Sequence, residues 1–140
     1  MKRLVLLFMF VLSFVYFAYG EEWIYVCNDD DGWTYWYAKD FEKTKSGTYR
    51  VRTKWHRPTK SYYTGNGTYD IAEEMDFITM YEISNDLKRY RYIGELKIDK
   101  YGKVVNQSYN DNNYFETLDL HYKEPKWKVL KALLTHILRN

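Results

Sequence analysis

The stretch that decides the fold is TYRVRTKWHR, from Thr48 to Arg57. Hydrophobic and polar side chains alternate along it. One face carries Tyr49, Val51, Thr53 and Trp55, and the other carries Arg50, Arg52, Lys54 and His56. Successive side chains of a β-strand point to opposite faces, so this period of two predicts a strand with one covered face and one solvated face. Pro58 predicts the end of the strand.

Further segments rich in aromatic and β-branched residues predict five more strands. These segments are Trp23 to Cys27, Trp33 to Tyr37, Asp76 to Ser84, Leu87 to Asp99 and Lys103 to Tyr109. The stretch Thr59 to Thr68 holds Gly65-Asn66-Gly67 and is predicted to be a loop. Asn110 to Lys126 is predicted to be a long polar connection.

The hydrophobic period changes after Pro125. Apolar residues then recur at intervals of three and four, which is typical of an amphipathic helix. They are Trp127, Leu130, Leu134 and Ile137, flanked by Leu133 and Leu138. Hairpin-ordered strands followed by one helix predict an α+β fold, in which a six-stranded antiparallel β-sheet carries a C-terminal amphipathic α-helix packed on its apolar face.

The N-terminus has the pattern of a secretory signal peptide. Lys2 and Arg3 precede an apolar run from Leu4 to Phe17, and Ala18-Tyr19-Gly20 places small residues where a signal peptidase needs them. A membrane-spanning helix is the competing interpretation, but the run is shorter than the roughly 20 apolar residues that it needs. We therefore expect residues 1–20 to be a signal peptide cleaved after Gly20, leaving one domain, 21–140, in the periplasm or on the cell surface with no transmembrane segment.

Charge and cysteine content limit the function classes. Residues 21–140 carry 19 basic and 19 acidic side chains, so the mature chain has no net charge and gives no general argument for nucleic-acid binding. Cys27 is the only cysteine, so no disulfide can form within one molecule, and the thiol is expected to be a small buried hydrophobe. Pairing of Cys27 between molecules remains the alternative.

Several motifs taken together resemble the surface-adhesin protein E-like domain, a family of exported bacterial proteins. The motifs are the Trp strand and Asp-Gly turn, Ala38-Lys39-Asp40, Met80-Tyr81-Glu82-Ile83, Lys88-Arg89-Tyr90-Arg91 and Tyr101-Gly102-Lys103-Val104-Val105. The resemblance covers most of residues 22–138 and implies the same sheet and terminal helix, with adhesion to matrix proteins as the named activity. Members of the family often tie the sheet to the helix by a disulfide, whereas this chain has Ser84 near the first cysteine position and no cysteine from Leu133 to Asn140.

Catalytic and metal-binding patterns are weak, so we expect no enzyme, no cofactor and no metal. Asp29-Asp30-Asp31-Gly32 invites a calcium interpretation, but an EF-hand alignment on Gly32 puts Cys27 and Ala38 at ligand positions. A solvated hairpin turn is the better interpretation. His56, His121 and His136 show no ligand spacing and are expected to be exposed, and no nucleophile elbow or phosphate loop occurs.

The feature that indicates a function is a basic stripe on two strands. Arg50, Arg52, Lys54 and His56 share one face of the third strand, and Arg89, Arg91 and Lys97 alternate with Tyr90, Tyr92, Leu96 and Ile98 on the fifth. If both strands expose the same face of the sheet, these cations converge beside aromatic rings. Arginine forks suit carboxylate, phosphate or sulfate groups. The alternative is a solvated face balanced by Asp76, Glu82 and Glu95.

Two hypotheses follow. The first is an exported, non-catalytic binding module that recognises a protein or an anionic glycan through Arg50, Arg52, Lys54, Arg89 and Arg91. The second is a soluble periplasmic accessory or inhibitor domain that docks onto a protein partner by a sheet edge or the helix. The missing disulfide and the lack of a lipid anchor favour the second.

Overall fold

The computed structural model describes residues 21–140, so the predicted signal peptide and its cleavage point lie outside the described residues. The strands in chain order are β1 (Trp23–Asn28), β2 (Thr34–Ala38), β3 (Glu42–Lys43), β4 (Tyr49–Arg57), β5 (Lys60–Tyr63), β6 (Tyr69–Ala72), β7 (Met75–Ile83), β8 (Arg89–Asp99), β9 (Val104–Tyr109) and β10 (Glu116–Thr117). Helix α1 (Pro125–Arg139) ends the chain, with Pro125 in its first turn.

Eight of the strands form one antiparallel sheet, with the order β1-β2-β4-β7-β8-β10, β3 beside β4 and β9 beside β8. Helix α1 packs against this sheet, which confirms the predicted α+β class. The six predicted strands correspond to β1, β2, β4, β7, β8 and β9. The alternating stretch Thr48 to Arg57 forms β4, which lies near the middle of the sheet and pairs with β7 over its whole length, from Tyr49↔Ile83 to Arg57↔Met75.

The main core lies between the helix and one face of the sheet, here called the helix face. Val51 on β4 and Tyr81 and Ile83 on β7 are buried there, each with at most 4% of its surface exposed. The helix contributes Val129, Leu130, Leu133, Leu134 and Ile137. Burying a large aliphatic side chain contributes about 1.5–3 kcal/mol, so these contacts can hold the helix without a covalent link.

A β-bulge in β8 produces a second, smaller core on the opposite face. Tyr92 pairs with Tyr81 and Gly94 pairs with Met80, so Ile93 is an extra residue in β8. One extra residue reverses the alternation beyond it. Tyr90 and Tyr92 therefore lie on the helix face, whereas Leu96 and Ile98, which follow the bulge, lie on the opposite face with Ile78 and Met80. The second core consists of Ile78, Met80, Ile93, Leu96 and Ile98, with Trp23 and Val104 packed against it.

Because of the bulge, the predicted alternation of the fifth strand is wrong beyond Tyr92. Leu96 does not share a face with Tyr92, and Lys97 does not share one with Arg91. Lys97 instead pairs with Phe77 on the helix-face side, where its ammonium lies 5.6 Å from the Phe77 ring.

Four short strands of the structure, β3, β5, β6 and β10, were not predicted. The predicted loop Thr59 to Thr68 contains β5, which pairs with β6 as a separate two-stranded sheet. Gly65 and Gly67 lie in the turn between them with φ of 87° and 77°, a conformation that suits glycine. β3 and β10 are two-residue strands, and β10 falls within the predicted polar connection. Sequences this short carry too little periodicity to be predicted.

Candidate binding face

The predicted cations of β4 and β8 lie on one face of the sheet, opposite the helix. Arg50 pairs with Glu82 of β7, and Glu82 pairs with Arg91 of β8, so the three side chains form one row across three strands. Arg52 and Lys54 continue along β4 from Arg50, and Arg89 shares the face of Arg91 by alternation. The structure thus brings all five predicted binding residues to the same face, with an acidic residue between the two strands that carry them.

Arg52 is not available at the surface of this face. Its Nη2 donates a hydrogen bond to Glu21 Oε1 at 2.6 Å and another to the Asp40 carbonyl at 3.0 Å. Only 2% of the Arg52 side chain and 3% of the Glu21 side chain are exposed. Burial raises the pKa of Glu21, although Arg52 opposes the rise. The predicted solvated face is therefore wrong at Arg52, which is part of the structure that fixes the start of β1.

Arg91 is also engaged by a carboxylate. Its Nη2 donates to Glu82 Oε2 at 2.6 Å, and Thr48 donates its hydroxyl to the other Glu82 oxygen at 2.7 Å. Burial alone would raise the pKa of Glu82, but the Thr48 and Arg91 hydrogen bonds outweigh it and hold the pKa below its usual value. Asn112 and Asn113 accept further hydrogen bonds from Arg91 at 3.2 Å. Three acceptor atoms therefore orient this guanidinium.

Lys54 is held by aromatic rings. Its ammonium lies 4.7 Å from the centre of the Trp36 ring and 5.0 Å from that of Trp23. Burial lowers the pKa of Lys54, and the nearby Asp76 carboxylate opposes the shift. Tyr25 continues the aromatic row, with its ring edge-on to Trp36 at 6.1 Å and 55% of the residue exposed. These three rings and Lys54 form a half-exposed platform, since a cation over an aromatic face is favourable.

Arg50 and Arg89 are the predicted cations that solvent reaches freely. Both are exposed, and neither forms a salt bridge with a residue in the range 21–140. An exposed, unpaired guanidinium keeps its planar fork for a carboxylate or phosphate of a ligand. We call Arg50, Arg89, Lys54 and the rings of Trp23, Tyr25 and Trp36 the basic–aromatic face.

A pocket of about 290 Å³ lies beside Lys54. Trp23 and Lys54 form one side of it, and His56, Asp76 and Lys100 are among its other lining residues. His56 was expected to be exposed but is half-buried, with Nδ1 at 2.7 Å from Asp76 Oδ1. Most of the side chains that line this pocket are charged or titratable, which differs from the largely apolar lining of a typical small-molecule site.

Sequence reasoning missed Glu21 and the individual aromatic residues of the platform. Glu21 follows the predicted cleavage point directly and has the character of a solvated residue; nothing in a single sequence links position 21 with position 52. Trp23 could be assigned to a strand but not to a face, because β1 carries a register shift between Tyr25 and Cys27 that the sequence does not reveal.

The Asp29-Asp30-Asp31-Gly32 turn is organised by one carboxylate. Asp29 Oδ1 accepts hydrogen bonds from the backbone N–H groups of Asp31 and Trp33, both at 2.9 Å, and Oδ2 accepts one from the Tyr35 hydroxyl at 2.7 Å. These bonds outweigh the effect of burial and lower the pKa of Asp29. The carboxylate therefore shapes the turn. Among residues 21–140, no cluster of three or more metal-ligating side chains is present.

Comparison with known proteins gives no match to a protein-family model, to a curated protein or to a solved structure. The resemblance to the adhesin family therefore remains a prediction. In the part of the chain that the structure describes, no helix has the length and hydrophobicity needed to cross a membrane.

Proposed function

We propose that this protein is an exported, non-catalytic binding module of the adhesin type that recognises a protein or an anionic glycan through its basic–aromatic face. The observation that carries the proposal is the platform of Lys54 with Trp23 and Trp36, on the same face of the sheet as the exposed guanidinium groups of Arg50 and Arg89, which form no salt bridge within residues 21–140. Aromatic rings and arginine are the side chains that most often dominate binding energy at protein interfaces.

The charge pattern supports a protein partner more than a polyanion. Two of the five predicted cations, Arg52 and Arg91, are neutralised by Glu21 and Glu82 at 2.6 Å. What remains is a short series of cations separated by acidic and aromatic groups. A protein surface offers both signs of charge and apolar contacts, whereas a sulfated glycan is attracted by an uninterrupted cationic surface.

Binding to immobilised matrix proteins and to heparin across a salt series tests the proposal. The informative variants are Arg50→Glu with Arg89→Glu, and Trp36→Ala. The first changes two exposed charges and replaces no member of the Arg52–Glu21 and Arg91–Glu82 pairs. We expect saturable binding that weakens with salt and falls about tenfold or more in each variant.

A charge-matched control excludes a general electrostatic effect. Lys123→Glu with Lys131→Glu makes the same charge change at exposed positions in and before helix α1, away from the basic–aromatic face. Equal losses in the control and in the Arg50/Arg89 variant would contradict the proposal, as would the absence of binding at low salt. Protease treatment of intact cells tests the location, since a protein that is protected until the outer membrane is opened is not displayed on the surface.

A further inference from the structure

The β5–β6 hairpin stands apart from the rest of the molecule. It forms its own two-stranded sheet, and every residue from Ser61 to Ile71 is exposed. At its base, Lys60 Nζ lies 3.3 Å from Asp31 Oδ1, and Arg57 Nη2 donates to the Glu73 carbonyl at 3.0 Å. A two-stranded hairpin is at best marginally stable in water, so a hairpin with this exposure is not explained by its contribution to the core.

Its composition is unusual for an exposed segment because it lacks charge. From Ser61 to Tyr69 the sequence is SYYTGNGTY, with no acidic or basic residue. Thr64 donates its hydroxyl to the Thr68 carbonyl at 3.0 Å and lies 2.7 Å from the Thr68 hydroxyl, which closes the turn. Tyrosine, threonine, glycine and asparagine together provide contact area and hydrogen bonds at a low entropic cost, as they do in antibody binding loops.

Tyrosines concentrate on one face of the hairpin. Tyr63 and Tyr69 are paired across the strands, with ring centres 5.3 Å apart and ring planes inclined at 58°. They are 62% and 66% exposed, and Ile71, on the same face, is 62% exposed. Tyr62 lies on the other face, opposite Asp70. The hairpin therefore has an uncharged aromatic face and a face that includes a charged residue.

We infer that the Tyr63–Tyr69 face binds a neutral polysaccharide chain. The C–H-bearing face of a sugar ring packs on an aromatic ring as an apolar surface, while its hydroxyls need hydrogen-bond partners at the edge. The tyrosine hydroxyls and the Thr64, Asn66 and Thr68 side chains supply both donors and acceptors. Because the hairpin offers no charge between Ser61 and Tyr69, it matches an uncharged ligand and complements neither a sulfated glycan nor an acidic peptide.

Shape favours a chain over a broad protein surface or a second copy. A stable protein interface covers about 800 Å² on each partner, which a hairpin of two four-residue strands does not present on one face. Pairing of β6 with β6 of a second copy, if centred on Asp70, would place two like charges directly opposite each other, which is unfavourable. A narrow, uncharged ridge suits an extended ligand.

The test is binding of the protein, expressed from its full sequence, to arrayed neutral polysaccharides of the α-glucan, β-glucan, mannan, galactan and xylan classes. Heparin is arrayed beside them. We expect binding to at least one neutral class with little salt dependence. In Tyr63→Ala/Tyr69→Ala the affinity falls about tenfold or more, and in Tyr63→Phe/Tyr69→Phe, which retains the rings, most of it remains. Tyr62→Ala is the matched control on the other face of the hairpin and keeps the affinity.

Each other outcome overturns the inference. If the protein binds none of the neutral polysaccharide classes, the inference is wrong. It is also wrong if Tyr62→Ala lowers the affinity as much as Tyr63→Ala/Tyr69→Ala does. Light scattering that shows a dimer dissociated by Tyr63→Ala/Tyr69→Ala would assign the face to a second copy. Binding to heparin alone, unaffected by the tyrosine variants and lost in the Arg50/Arg89 variant, would leave the function proposed above intact and refute the hairpin site, because the two surfaces share no residue.

Discussion

Helix α1 offers a matched pair of leucines that tests how the helix is held. Cys27 is the only cysteine, so no disulfide within the molecule fastens the helix to the sheet. Leu133 is 1% exposed and packs in the main core, whereas Leu138, five residues later, is 75% exposed. The same substitution by alanine therefore removes a core contact at one position and only a solvated side chain at the other.

We expect Leu133→Ala to lower the free energy of unfolding by about 3–5 kcal/mol, because it combines the lost transfer free energy with the cost of a cavity. A domain of this size has a total stability of about 5–15 kcal/mol, so the variant loses a large share of it. Leu138→Ala is expected to change stability by less than about 0.5 kcal/mol. Urea unfolding followed by tryptophan fluorescence measures both, and the m-value should stay the same if both variants unfold in two states.

A loss below about 1 kcal/mol for Leu133→Ala would refute the reasoning, since the helix would then not depend on its packing against the sheet. Similar losses at both leucines would refute it as well, because a loss that ignores burial does not come from the contacts of Leu133 in the core, and alanine is the better helix former at both positions. A reduced m-value in Leu133→Ala would mean that the helix detaches separately from the sheet, and the single-domain description would then have to be revised.

Two further predictions concern carboxylates. The folded-state pKa of Glu82 lies below its ordinary value of 4.5, so the contribution of its carboxylate to stability is complete above that pH and is lost as the pH falls below it. Glu82→Gln leaves Arg91 without its carboxylate and should lower the free energy of unfolding at neutral pH by about 3 kcal/mol. It should also flatten the dependence of stability on pH below 4.5, which urea unfolding at a series of pH values would measure. Asp29→Ala removes the acceptor of the Tyr35 hydroxyl and of two backbone N–H groups and should cost about 2 kcal/mol in thermal melts, whereas an equal loss in Asp30→Ala, at an exposed neighbouring position, would contradict this assignment.

Much of the fold could be predicted from local patterns. The period of two in β4 and the period of three and four in α1 each follow from the geometry of one element, and together they define the α+β class. The bulge at Ile93 could not be predicted. The residues around it alternate well enough for an uninterrupted strand, and the extra residue is revealed only by the pairing of β8 with β7.

The sequence predicted which residues carry the candidate site, but it could not predict which of the cations would be paired with a carboxylate or held by aromatic rings. Alternation placed Arg50, Arg52 and Lys54 on one face, as the structure does. Their environments differ because they depend on neighbours from other strands: Arg52 meets Glu21, and Lys54 meets Trp23 and Trp36. Such contacts join residues that are distant in sequence, and their identity is fixed by register rather than by local composition.

The bulge in β8 has a consequence for how this protein can change in evolution. Loss of Ile93 would restore simple alternation without turning any neighbour over, because Gly94 would then follow Tyr92 directly and still pair with Met80. The cost would be one buried side chain of the second core. An insertion at the tip of the β5–β6 hairpin, between Gly65 and Gly67, would displace nothing that is buried. Divergent relatives of this chain can therefore lack the bulge and still keep Leu96 and Ile98 on the face opposite the helix, and they should vary freely in the length of the hairpin.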